Sequence, residues 1–145
     1  MNCYAKFMIL LLTIIAMPFA CSSAPQFSSV IDRDWKLVEI RINSESIIIN
    51  ESDDFFTLRF DMERVNGIGS PNRYFAPYLL ADKQGITIKA IAQTQMAALF
   101  EPEALKEYDF FTYLQNTSKW NLVRGNLELY SQGRDGTGAI LVFAP

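Results

Sequence analysis

Side chains able to carry out chemistry are few in this chain. It contains no histidine, and its two cysteines stand at positions 3 and 21. Without histidine there is no Ser–His or Cys–His nucleophile pair and no His-bearing zinc site of the usual kinds. The carboxylates come in pairs: Asp53-Asp54, Asp61-x-Glu63, and Glu103 with Glu107. Adjacent carboxylates on a strand point to opposite faces, and 61–72 lacks the closing glutamate of an EF-hand loop, so solvated turns account for the first two. Helix-start electrostatics account for Glu103. The run G-I-G-S-P at 67–71 is neither a nucleophile elbow nor a phosphate loop, and no helix follows it. Gly67 and Gly69 are expected to permit a bulge or a positive φ between strands, with Asn72 hydrogen-bonding the turn backbone. No catalytic residue, metal site or cofactor is expected, and the chain does not read as an enzyme.

Cys21 is the one residue with an evident chemical role. Phe7 to Ala20 is a 14-residue uncharged stretch behind a short start carrying Lys6. That is too short to span a bilayer as a helix and the right length for a signal-peptide core. M-P-F-A-C at 17–21 is similar to a bacterial lipobox, with Cys21 as the acylated N-terminus, although Pro18 and Phe19 depart from the pattern. The alternative is ordinary cleavage after Ala20 or Ala24. Once residues 1–20 are removed, Cys21 is the sole cysteine and has no intramolecular partner, which acylation would explain. The expected organisation is a signal peptide at 1–20, a lipidated Cys and flexible tether at 21–30, and one domain at 31–145.

Composition limits the partners. Half the residues are apolar and 13% are aromatic, which excludes a disordered chain. Loss of Lys6 leaves 12 basic against 16 acidic side chains, so no footprint for nucleic acid is expected. For the same reason membrane association is expected to come from the anchor and not from a basic face.

The elements follow from alternation. Trp35 to Ile42 is expected as a strand with Val38, Ile40 and Ile42 on one face, and Phe55 to Asp61 as one with Phe56, Leu58 and Phe60. Further strands are expected at 64–68, 74–80, 86–91, 119–123, 127–131 and 139–143, with Pro77 marking an edge strand or a bulge. A helix is expected from Pro102 to Gln115, with Ala104, Leu105, Tyr108, Phe111 and Leu114 as its apolar stripe. The fold class is therefore α+β: a mainly antiparallel sheet packed against one helix, with an incomplete barrel as one way of rolling it.

The runs R-V-N-G-I-G-S-P-N-R-Y-F-A-P-Y (64–78), I-A-Q-T-Q-M-A-A (91–98), E-Y-D-F-F-T-Y-L (107–114) and G-N-L-E-L (125–129) occur in an order that resembles the META domain family, HslJ-like, in the setting of a small bacterial lipoprotein. The resemblance spans nearly the whole domain. It implies a compact antiparallel sheet wrapped against a helix and no assigned enzymatic activity. It marks Gly67, Asn72, Tyr78, Thr94, Met96 and Glu107 as motif residues with structural roles, Glu107 bracing the loop around Thr94. Two cysteines typical of the family are replaced here by Pro71 and Ala98, which argues against a redox or disulfide role.

The function expected is that of a non-enzymatic envelope lipoprotein, periplasm-facing or at the cell surface. It would bind a protein partner, or assist envelope stress response or secretion. The alternative is a lipocalin-like carrier of a lipid or other small apolar ligand. Tyr74, Phe75, Tyr78, Trp120 and Tyr130 are the aromatics from which such a binding groove would draw.

Overall fold

The structure is a computed structural model that describes residues 25–49, 55–97 and 102–145. The alternation of Phe56, Leu58 and Phe60 survives intact: all three are buried as β3 (Thr57–Phe60) crosses the core. In β5 (Arg73–Ala81), Tyr74, Ala76 and Tyr78 point inward while Arg73, Phe75, Pro77 and Leu79 face out. The first strand behaves differently. In β1 (Trp35–Ile42) the buried residues are Trp35, Leu37 and Ile40, because the register shifts between Leu37 and Glu39. The shift inserts one residue and changes which parity faces the core, so Val38 does not share the buried face expected of it. Trp35 anchors the earlier parity: its indole N–H donates to the Val30 carbonyl at 3.1 Å.

β2 (Glu45–Ile48) folds back on β1, and β4 (Arg64–Ile68) joins β3 to β5. β6 (Gly85–Ile88) and β7 (Ala92–Gln93) both pair with β5, and β8 (Lys119–Val123), β9 (Asn126–Gln132) and β10 (Gly138–Ala144) form a meander. β10 then pairs with β1 from Lys36↔Ala144 to Ile42↔Ala139. That pairing closes an eight-stranded antiparallel barrel in the order β1-β3-β4-β5-β6-β8-β9-β10, not the incomplete barrel expected. Among the described residues, closure leaves a free edge on β2, which pairs with β1 alone, and where the barrel ladder thins. The thin place is the seam between β6 and β8, which meet at the single register pair Gly85↔Lys119.

Pro77 lies within a strand paired on both sides, not on an edge. Opposite it the partner ladder is interrupted between Ile88 and Ala92, so Ala76 and Pro77 face three residues, 89–91. The missing proline N–H falls in this irregularity, where a ladder bond is not required.

Both ends of the barrel are plugged. At the end bearing the turns 61–63, 81–84 and 124–125, Phe27 in a single 3-10 turn (Phe27–Ser29) packs its ring 5.2 Å from Phe60, 5.5 Å from Tyr78 and 4.9 Å from Trp120. Phe27 and Val30, which the tether expectation assigns to linker, therefore belong to the core. At the opposite end lies the helix α1 (Glu107–Gln115). It begins five residues later than expected, because Lys106 at its N-cap is extended (φ −83, ψ 148). Leu105 is buried ahead of the helix, and the helix itself buries Phe110 and Leu114, while Tyr108 is 58% exposed. Glu103 and Ala104 are thus not helical, and the expected stripe through Ala104 and Tyr108 is replaced by one through Phe110 and Leu114.

Candidate functional site

The motif residues converge where β4 turns into β5. Asn72 is buried beneath this turn, and its amide is fully engaged. Its Oδ1 accepts from Thr94 Oγ1 and from the Met96 N–H, both at 2.7 Å. Its Nδ2 donates to Glu107 Oε2 at 3.0 Å and to the Met96 carbonyl at 3.3 Å. The second carboxylate oxygen of Glu107 accepts the Asn72 backbone N–H at 3.0 Å. Three stretches distant in sequence, the turn at 69–72, the segment 94–96 and the first turn of α1, are thereby fastened at one amide. The side chain bonds the Met96 backbone and not its own turn; the Asn72 carbonyl does that, accepting from the Gly69 N–H at 2.7 Å. Met96 contributes its main chain, and its side chain is exposed. Every polar group here has a partner, so the cluster holds the loops in place and offers no free nucleophile or base.

The two motif glycines act by close approach. A Cβ on Gly67 would lie 2.0 Å from the Thr57 carbonyl oxygen, and one on Gly69 would lie 2.4 Å from the Phe111 ring. Neither has a positive φ and no register shift falls at β4, so neither the bulge nor the positive φ expected of them is what constrains these positions. Tyr78 donates its hydroxyl to the Asp61 carbonyl at 2.7 Å, and burial raises its pKa above the ordinary value. Tyr74, also raised by burial, donates to the Thr57 carbonyl at 2.9 Å. Asp61 closes its turn by accepting from the N–H groups of Glu63 and Arg64. Among the described residues no group of three His, Cys, Asp or Glu side chains could hold a metal ion. Cys21, Asp53, Asp54 and Ala98 lie outside the described residues.

Of the aromatics expected to line a groove, Tyr74, Tyr78 and Trp120 are core residues, Tyr130 is half-buried, and only Phe75 is exposed. Tyr130 belongs to a polar network on the outer wall: its hydroxyl donates to Glu128 Oε2 at 2.8 Å, and Arg41 bridges Glu128 Oε1 and Glu39.

A groove of about 530 Å³ does exist, on the outside. One wall is α1, through Tyr108, Phe111, Thr112 and Gln115; the other is the stretch from β6 to β7, through Ala90, Ile91 and Gln93. That stretch pairs with β5 on one side only, since β8 meets β6 no further along than its start. The Ile88 carbonyl on the open edge is covered by the Gln115 side-chain amide, which donates at 2.8 Å. Glu107 is the only charged residue in the lining, and its carboxylate is committed to Asn72. The sequence hides this groove, because 86–91 reads as one continuous strand and nothing in it reveals which edge lacks a partner.

The META domain profile matches residues 28–143. An NMR structure of a protein from Burkholderia xenovorans is similar in fold, with a TM-score of 0.60 at 17% identity over 90% of this chain and 99% of that one. No curated protein matches the chain. With the profile running from the 3-10 turn into the last strand of the barrel, the chain belongs to the META domain family.

Proposed function

We propose that this META domain protein is a non-enzymatic lipoprotein of the cell envelope that holds an extended segment of a protein partner in the groove between α1 and the open β6–β7 edge. The observation that carries the binding part is that edge. A strand edge without a neighbour, beside a helix and flanked by Ile91 and Phe111, suits an added strand whose main chain pairs with the edge. The lining carries no uncommitted charge, so the segment it fits is neutral and apolar on one face. Export and lipidation at Cys21 are supported by the apolar stretch at 7–20 and the lipobox-like M-P-F-A-C, with the mature protein facing the periplasm or the cell surface. The carrier reading has less support, because Phe27 and Phe110 fill the two ends of the barrel with rings instead of leaving a cavity.

Two experiments test the two parts. Mass spectrometry of the mature protein is expected to show acyl chains on Cys21, and C21A is expected to leave the membrane fraction. A photo-crosslinking residue at Thr112 is expected to give a discrete protein adduct in intact envelopes. Ala90→Trp, which fills the groove from its exposed wall, is expected to abolish that adduct without lowering the melting temperature. An adduct that survives Ala90→Trp would place the partner elsewhere.

A further inference from the structure

The outer wall of β4, β5 and β6 differs in character from the rest of the molecule. Its centre is an exposed apolar line, Phe75, Pro77 and Leu79, running along β5. Arg64 lies across from Pro77 with its guanidinium 5.7 Å from the centre of the Phe75 ring; Arg73 lies at one end of the line and Lys89 beside it. All three cations are exposed, and no carboxylate stands on the outward positions of these strands. The nearest acids bound the wall at its edges. Asp61 and Glu63 sit in the turn, with Asp61 committed to backbone N–H groups, and Asp32 and Asp34 are matched to Arg59 at 3.5 and 3.2 Å. A net-negative chain thus gathers three cations around an apolar strip, with Arg64 alone close enough to an acid, Asp61, to be partly offset.

The position of the chain's entry makes this wall informative. Phe27 is fixed in the barrel end that carries Met62, 80% exposed, and Leu80, 48% exposed, and the apolar line runs to that same end. Only Ser22 to Gln26 separate Phe27 from Cys21, a fully extended reach of about 20 Å. A chain anchored at Cys21 therefore cannot hold the domain away from the bilayer.

We infer that the outer wall formed by Phe75, Leu79, Arg64, Arg73 and Lys89 rests on the anionic surface of the lipid bilayer, apolar side chains toward the acyl boundary and cations among the head groups. The inference rests on the anchored reading above for the short tether, which makes even a weak surface contact intramolecular. The cations add attraction that falls with salt.

The test uses the acylated mature protein in vesicles of phosphatidylethanolamine and phosphatidylglycerol. Nitroxide labels are placed singly at Leu79→Cys on the wall and at Asp135→Cys at the far end of the barrel. The label at 79 is expected to be severalfold less accessible than that at 135 to a water-soluble relaxation agent. Adding Arg64→Glu and Arg73→Glu is expected to bring the two labels level with the melting temperature unchanged. Equal accessibility of both labels in the parent protein overturns the assignment. So does a protein adduct from a photo-crosslinker at Phe75 in envelopes, since the wall would then face a partner protein. A mass lacking acyl chains removes the anchor instead, and is read separately from either result.

Discussion

At the scale of single residues, Asn72 carries more of the local architecture than any other side chain at the β4–β5 turn. Replacing it by alanine strands the Met96 N–H and frees Glu107 from the turn it braces, at a cost of about 3 kcal/mol. Urea unfolding of Asn72→Ala is expected to show that loss, with a normal slope if the rest of the barrel remains. Asp61 gives a pH dependence. The Glu63 and Arg64 N–H groups hold its carboxyl below the usual carboxylate range, so its ionised form is favoured in the folded chain. Its stabilising contribution is present above the unfolded pKa of about 4 and is lost as pH falls through the lower folded value. Urea midpoints followed from about pH 6 down to about pH 2 should fall less steeply for Asp61→Asn than for the parent. The sequence pointed to these residues more readily than to their roles. Asn72 and Glu107 stood in recognisable motifs, but only folding shows that one amide gathers two segments each more than twenty residues from it. Gly67 and Gly69 were legible as constrained positions, yet their constraint is the approach of Thr57 and Phe111, neighbours that no local pattern announces.

At the scale of elements, period-two alternation located β3, β4, β5 and the β8–β10 meander because each strand keeps one face in the core, although Glu128 and Val142 are buried on the other face as well. It failed at β1, where the bulge after Leu37 changes parity within the strand. It also placed the start of α1 too early. Pro102 and the acids around it look like a helix N-terminus, but burial of Leu105 beside the barrel requires an extended Lys106, and tertiary packing overrides the local signal. The weak join between β6 and β8 could not be read from sequence, since both segments alternate normally. It carries its own prediction. With one register pair and the Gln115 amide bonded to the Ile88 carbonyl, the seam should be the first part of the wall to open. Amide exchange at Ile86 and Trp120 is expected to be faster than across β1–β10, and Gln115→Ala should widen the difference. An even protection pattern around the barrel would rule this out.

At the scale of the whole molecule, the barrel is stabilised by plugs at its ends as much as by its wall. Phe27 touches rings from β3, β5 and β8, so its removal should loosen three strands together. Phe27→Ala is expected to cost about 3–5 kcal/mol, measured as a lowered unfolding midpoint, although the residue stands outside every strand. Net charge is the property that sequence conveyed least well at this scale. A sum near −4 for the chain after residue 20 suggested a uniformly acidic surface, whereas folding collects Arg64, Arg73 and Lys89 on one wall and leaves that wall's outward positions without a carboxylate.

The pairing of β1 with β10 also imposes an order on assembly. Ile42 finds Ala139 and Lys36 finds Ala144, so contacts between the outermost strands of the sequence close the circle. Until residues 138–144 are available, β1 has partners on one flank only and β9 presents a bare edge. Contacts this far apart are slow to form, because a long stretch of chain must be ordered before they are made. A chain with this topology stays open until its last strand is delivered. The barrel seals only when β10 reaches β1, so every truncation short of residue 138 leaves the circle open.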